Sequence, residues 1–220
     1  MGEVTAERLT IGEGAESREI AVVARSGALP GLFWLGGFRS DMTGSKATAM
    51  GALAAAEGRA SVRFDYSGHG QSGGEFAEGT ISRWLEEARS VFDRYAPGRQ
   101  VVVGSSMGGW LALRLAEALR DTGRIAGLVL IAPAVDMTRA LMWDRWSESV
   151  RTELMTTGTT REPSDYSDEP YLITRKLIED GDAHLFGNRL IDVGASVHIL
   201  QGMADTDVPW RHAQDLVARL

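Results

Sequence analysis

Residues 99–113, RQVVVGSSMGGWLAL, pass from a valine run into a helical pattern with almost no chain between them. Val101, Val102 and Val103 read as a strand, and GWLALRLAEALR (109–120) as a helix that is apolar nearly all round and therefore buried. The same alternation recurs along the chain. REIAVVARSG (18–27), GLFWLGG (31–37), ASVRFDY (60–66), IAGLVLIAPA (125–134) and SVHILQGMAD (196–205) read as strands. Helical patterns fall at 45–58, 80–95 and after 205, the second carrying Ile81, Trp84, Leu85, Ala88, Val91, Phe92 and Tyr95 on one face. Strands separated by helices of this length predict an α/β domain: a mostly parallel sheet covered by helices on both faces, with the first two strands antiparallel. At 220 residues, 44% of them hydrophobic, the chain can bury one sizeable core.

One interval breaks the rhythm. Residues 136–194 lie between two strands and exceed a single crossover. They hold Met142, Trp143, Trp146, Met155, Tyr166 and Tyr171 among twelve acidic and seven basic residues, and so carry five of the seven net negative charges. The expectation is a core of 1–135 and 195–220, with 136–194 as a helical cap over a pocket at the strand ends. A helical elaboration that only extends the core is the other way to use such a segment.

At the strand–helix junction stands Gly104-Ser105-Ser106-Met107-Gly108, the G-x-S-x-G pattern of a nucleophile elbow. The turn is so tight that side chains two before and two after the nucleophile collide, which leaves glycine there. The nucleophile is held strained, its hydroxyl pushed out above the sheet. Ser106 is thus the candidate nucleophile, with Ser105 packed beside it, and the Met107 amide points at a developing oxyanion. FWLGGF (33–38) ends another strand in two glycines, where the Phe38 amide is the candidate second donor; an ordinary strand-to-loop turn would use glycines equally well. FDYSGHGQSGG (64–74) leaves its strand as D-x-x-G-x-G-x-S.

Together the LGGF turn, DYSGHGQS, GSSMGGW and GMADTDVPW resemble the α/β-hydrolase superfamily. Within it they look most like the branch of acyl-glucuronide esterases and palmitoyl-protein thioesterases, with their bacterial relatives. The resemblance runs from about residue 18 onward, strongest at the motifs and weakest in the cap. It implies a Ser-His-Asp esterase or thioesterase that needs no cofactor. It places the acid at Asp205, in the G-x-x-D-x-x-V-P turn of residues 202–209, from which a carboxylate can fix a histidine tautomer. Asp207 reads as a turn residue, and Asp136, after the preceding strand, is the other place where some members carry the acid.

The base is missing from this pattern. The fold orders its partners Ser, Asp, His, and only His212 follows Asp205, seven residues on and inside a helix. His69 lies in the glycine turn, His184 in the cap and His198 in a strand; none is assigned as the base. The expectation is a hydrolase whose last strand, catalytic loop and helix lie beyond residue 220, or a defective, ligand-binding version of one. An aspartate at position 106 would point to dehalogenases or epoxide hydrolases, and a cysteine to dienelactone-type chemistry; serine-triad peroxidases share this elbow.

The net charge of −7 disfavours nucleic acid as a partner. There are no cysteines, so thiolate chemistry and Cys-ligated zinc are out, and the four histidines show no metal-ligand spacing. No segment has the length of a signal peptide core or a membrane span. A cytoplasmic protein acting on a small ester or acyl substrate is the resulting expectation.

Overall fold

The computed structural model describes residues 6–162 and 170–220. Its seven-stranded sheet contains β1 (Glu7–Ile11), β2 (Arg18–Arg25), β3 (Ala28–Leu35), β4 (Arg59–Phe64), β5 (Gln100–Ser105), β6 (Ile125–Ile131) and, after a two-stranded hairpin, β9 (Val197–Leu200). Their order is β1-β2-β4-β3-β5-β6-β9. β1 and β2 run antiparallel to their neighbours, and every pair from β4 to β9 is parallel. The two strands at 18–27 and 31–37 are antiparallel in direction yet not adjacent. The crossover through α1 (Ser45–Ala56) seats β4 beside β3, and β2 pairs with the far edge of β4, Val22 opposite Phe64.

Alternation along β3 shows how the layers form. Trp34 faces α1 with Ala47, Met50 and Val103, whereas Phe33 and Leu35 point into the larger core. There they meet α2 (Ile81–Tyr95) and α3 (Met107–Leu119) through Trp84, Phe92, Trp110 and Leu111. Ten of the thirteen α3 residues are buried, which is why its sequence is apolar all round. α6 (Trp210–Val217) follows β9 and buries Ala213 and Leu216. The final strand is shorter than its apolar run: pairing with β6 stops at Leu200, and 201–209 form turns.

The chain between β6 and β9 carries α4 (Glu148–Thr157), an antiparallel hairpin of β7 (Thr159–Glu162) and β8 (Tyr171–Thr174), and α5 (Arg175–Asp182). Tyr166 lies outside the described residues. Asp136, buried and at φ 57°, accepts from the amides of Phe186 (2.8 Å) and Gly187 (2.9 Å), fifty residues further along. That bond pair ties the departure of the segment to its return. Its aromatic residues divide. Trp143 is flanked by the Arg139 and Arg151 guanidinium groups, Trp146 donates to Glu162, and Tyr171 reaches the loop after β3.

Candidate active site

At the C-terminal end of β5 the backbone reverses at Ser106, with φ 53° and ψ −119°, a strained combination for a non-glycine residue. Its amide donates to Ile131 at the end of β6 (2.9 Å), and its carbonyl accepts from Gly109 (2.8 Å) and Ala134 (3.0 Å). These bonds hold the strain in place. The glycines around it have no room for a side chain: a Cβ on Gly104 would lie 2.3 Å from the Gly108 carbonyl oxygen, and one on Gly108 2.1 Å from that of Leu35. Ser106 is half-buried at the N-terminus of α3 and its hydroxyl does not cap the helix. Ser105 is buried at the end of β5. The Met107 amide, the first of α3, has no acceptor within the helix and so faces the space before it.

The loop after β3 forms the opposite wall. Gly37 lies against the serine, where an added Cβ would be 3.3 Å from Ser106 Cβ and 3.4 Å from the Ser105 carbonyl oxygen. Next to it, the Phe38 ring meets Phe76, Trp84 and Tyr171 at centroid distances of 5.0, 5.9 and 6.0 Å. Two residues of the DYSGHGQS turn hold this loop. Asp65, fully buried, accepts from the Met42 amide through Oδ1 (2.6 Å) and from Gln71 through Oδ2 (2.8 Å). Burial pushes its carboxyl up from the ordinary range, against the lowering effect of those two bonds. His69, also buried, accepts the Arg39 amide at Nε2 (3.1 Å), so its proton sits on Nδ1, which donates to the Ser67 carbonyl (3.0 Å). Gly70 at φ 46° is needed here: a Cβ would fall 2.2 Å from Asp65 Oδ2. From behind, Glu87 accepts from the Ser67 amide (2.9 Å) and from Arg18 Nε (2.5 Å).

Asp205 lies at the same end of the sheet, in the turn after β9, two strands from β5. Its Oδ1 accepts from the Val208 amide within its own turn (2.9 Å), and Gln201 Nε2 donates to the Val208 carbonyl (2.8 Å). Asp207 is exposed, and its carbonyl accepts from Arg145 (3.1 Å). Asp136 is occupied by the two amides already described, with Arg219 3.9 Å away.

The structure thus brings Ser106, Met107, the Gly37–Phe38 backbone, Gly104 and Gly108 together. Among the described residues no histidine is hydrogen-bonded to Ser106 or Asp205. His69 is engaged by Arg39 and Ser67. His184 Nε2 contacts Ser82 Oγ (2.7 Å), His198 is exposed on β9, and His212 bonds the Val135 carbonyl. Burial lowers the pKa of His69 to about 4 and also lowers those of His184 and His212. No group of three or more metal-ligating side chains occurs among the described residues, and no helix there is long and apolar enough to cross a membrane. The clamping roles of Asp65 and His69 escaped sequence reasoning, although D-x-x-G-x-G-x-S contained both.

The model of the family described as serine aminopeptidase, S33, matches residues 41–206. Human mitochondrial palmitoyl-protein thioesterase ABHD10 is 33% identical over 88% of this chain, which spans 63% of that relative's length. A crystal structure from Agrobacterium vitis S4, of a protein assigned as a hydrolase, shares 49% identity over 100% of this chain and 87% of its own, with a TM-score of 0.95. The mouse α/β hydrolase domain-containing protein 10 superposes with a TM-score of 0.85 at 32% identity, covering 97% of this chain and 84% of its own. By its sheet order, its strand–serine–helix junction and these likenesses, the chain belongs to the α/β-hydrolase superfamily.

Proposed function

We propose that this chain carries the core of a serine hydrolase that cleaves carboxylic esters or thioesters through an acyl-Ser106 intermediate. The observation that carries the reading is the strained Ser106 backbone at the mouth of α3, facing the Gly37–Phe38 loop. In the reaction Ser106 Oγ attacks the acyl carbonyl carbon as its proton passes to a base. The tetrahedral oxyanion is held by the Met107 and Phe38 amides, and collapse expels the alkoxide or thiolate, which takes the proton. Water then repeats the sequence on the acyl-enzyme and frees Ser106 and the acid. Asp205 serves as the acid that orients the base; Asp136 is set aside because two backbone amides already occupy both its oxygens.

Residues 136–194 act as a cap, and Tyr171 against Phe38 makes an apolar rim for the acyl group. The thioester part of the reading is favoured by the likeness to a palmitoyl-protein thioesterase. The cytoplasmic location stays part of this proposal, while that relative is named mitochondrial.

A second reading has one observation in its favour: no histidine bonds Ser106 among the described residues. It makes the chain a ligand-binding module without turnover. Intact-mass measurement with a fluorophosphonate probe separates the two. A single adduct absent from Ser106→Ala, with turnover that varies with acyl-chain length in esters and thioesters, is expected. A protein that binds acyl ligands yet takes no adduct overturns the hydrolase reading.

A further inference from the structure

Residues 37–40 form a tight turn closed by the Ser40 amide donating to the Gly37 carbonyl (3.1 Å). Arg39, its third residue, has φ 59°, while Phe38 is not among the residues with positive φ. That combination is a type II turn, whose third position favours glycine; with a side chain there, type I is the easier geometry. The two types differ by a flip of the central peptide, here the Phe38–Arg39 unit. The N–H of that unit points at His69 Nε2.

We propose that His69 is a positioning residue for the hydrolase reaction: its Nε2, by accepting the Arg39 N–H, selects the type II turn and so fixes the loop that presents the Phe38 amide to Ser106. The inference rests on the hydrolase reading above. His69 is well placed for this and for little else. It is buried between Tyr66, Phe76 and Trp84, with ring centroids 5.8, 5.2 and 5.3 Å away, and its Nδ1 is anchored on Ser67. The ring therefore cannot turn to offer a different atom. The groups that face it electrostatically are Arg39 and Asp41, of opposite sign, and burial outweighs both in keeping the imidazole neutral. A neutral Nε2 accepts; a protonated one would set N–H against N–H and release the turn. A loop exchanging between two turn types no longer offers a fixed donor, and oxyanion stabilisation depends on donors fixed in advance.

The test compares His69→Phe, which keeps the aromatic packing and removes the acceptor, with His69→Gln, whose amide oxygen restores one. The expected result for His69→Phe is a fall in kcat on the order of 10- to 100-fold with KM nearly unchanged, matched by an equal loss of affinity for a trifluoromethyl ketone transition-state mimic. His69→Gln recovers most of both. Nitrogen-15 NMR of the unaltered protein supplies a readout should His69→Phe not fold: Nε2 should be unprotonated at pH 6 and the Arg39 amide protected from exchange. An active protein whose kcat survives His69→Phe, or whose His69 Nε2 carries the proton, overturns this inference alone. A protein in which Ser106 takes no adduct overturns the hydrolase reading and this inference with it.

Discussion

The two walls of the candidate site are built differently. On the Ser106 side, Gly37, Asp65, His69, Glu87 and the elbow glycines lock three separate segments together through buried bonds and close backbone contacts. On the Asp205 side, a single turn is held mostly by local bonds, from its own Val208 amide and Gln201, with one long-range bond from Arg145 to the Asp207 carbonyl and with Gly202, Met203 and Ala204 exposed. The contrast fits the hydrolase reaction proposed above. An oxyanion needs donors fixed before the reaction, since reorganising them costs barrier height, whereas a carboxylate on a turn is itself fixed by the ring it holds.

The largest test of this contrast is Gly108→Ala. The new Cβ would meet the Leu35 carbonyl oxygen at 2.1 Å, and neither backbone can give way cheaply. We expect a loss of about 3 kcal/mol or more in urea unfolding, together with loss of probe labelling. A near-neutral result would mean that the elbow wall is softer than its contacts imply.

Acid should weaken the same wall. His69 is held neutral in the fold, with its pKa lowered from the ordinary 6.5 to about 4. The unfolded chain therefore takes up this proton first. The stabilisation is whole above pH 6.5, falls as pH drops from 6.5 toward 4 and then levels off, on the order of 3 kcal/mol in all. His184 and His212, also lowered, add in the same direction, while the raised carboxyl of Asp65 opposes them. Unfolding midpoints measured from pH 7 to pH 4 should trace this slope, and His69→Gln should flatten it.

The smallest effect on stability is expected on the other wall. Asp205→Asn keeps an oxygen for the Val208 amide, so the unfolding free energy should change by less than about 1 kcal/mol. Its turnover should nonetheless collapse if this aspartate orients the base. A large loss of stability would erase the distinction between the walls.

The buried strands were legible because nothing polar interrupts them: QVVVGS and IAGLVLI read as parallel-sheet strands directly. β1, ERLTI, was not, since its mixed edge-strand pattern carries little periodic signal. β7 and β8, four residues each, are too short to stand out from the charged segment around them. The elbow could be read because its glycines are a local steric requirement. Only motif fit places Asp205 ahead of Asp136; the partners that occupy Asp136 stand fifty residues on, at Phe186 and Gly187, beyond any local pattern. His69 was visible only as a turn histidine. Its acceptor role depends on the Arg39 amide thirty residues earlier, which no local pattern encodes.

The bond pair on Asp136 has a consequence for the length of the segment it closes. By joining residue 136 to 186–187 it turns everything between them into a closed loop. The entropy of closing such a loop grows only with the logarithm of its length, about 0.6 kcal/mol for each doubling. Closure therefore sets little limit on the length of 137–185; what fixes the segment is its packing, since Met142, Leu154, Ile173, Leu177 and Ile178 are buried in the main core and the His184 carbonyl accepts from Trp110 on α3. A single aspartate thus marks where the chain can change length cheaply and where, a few residues in, packing takes over.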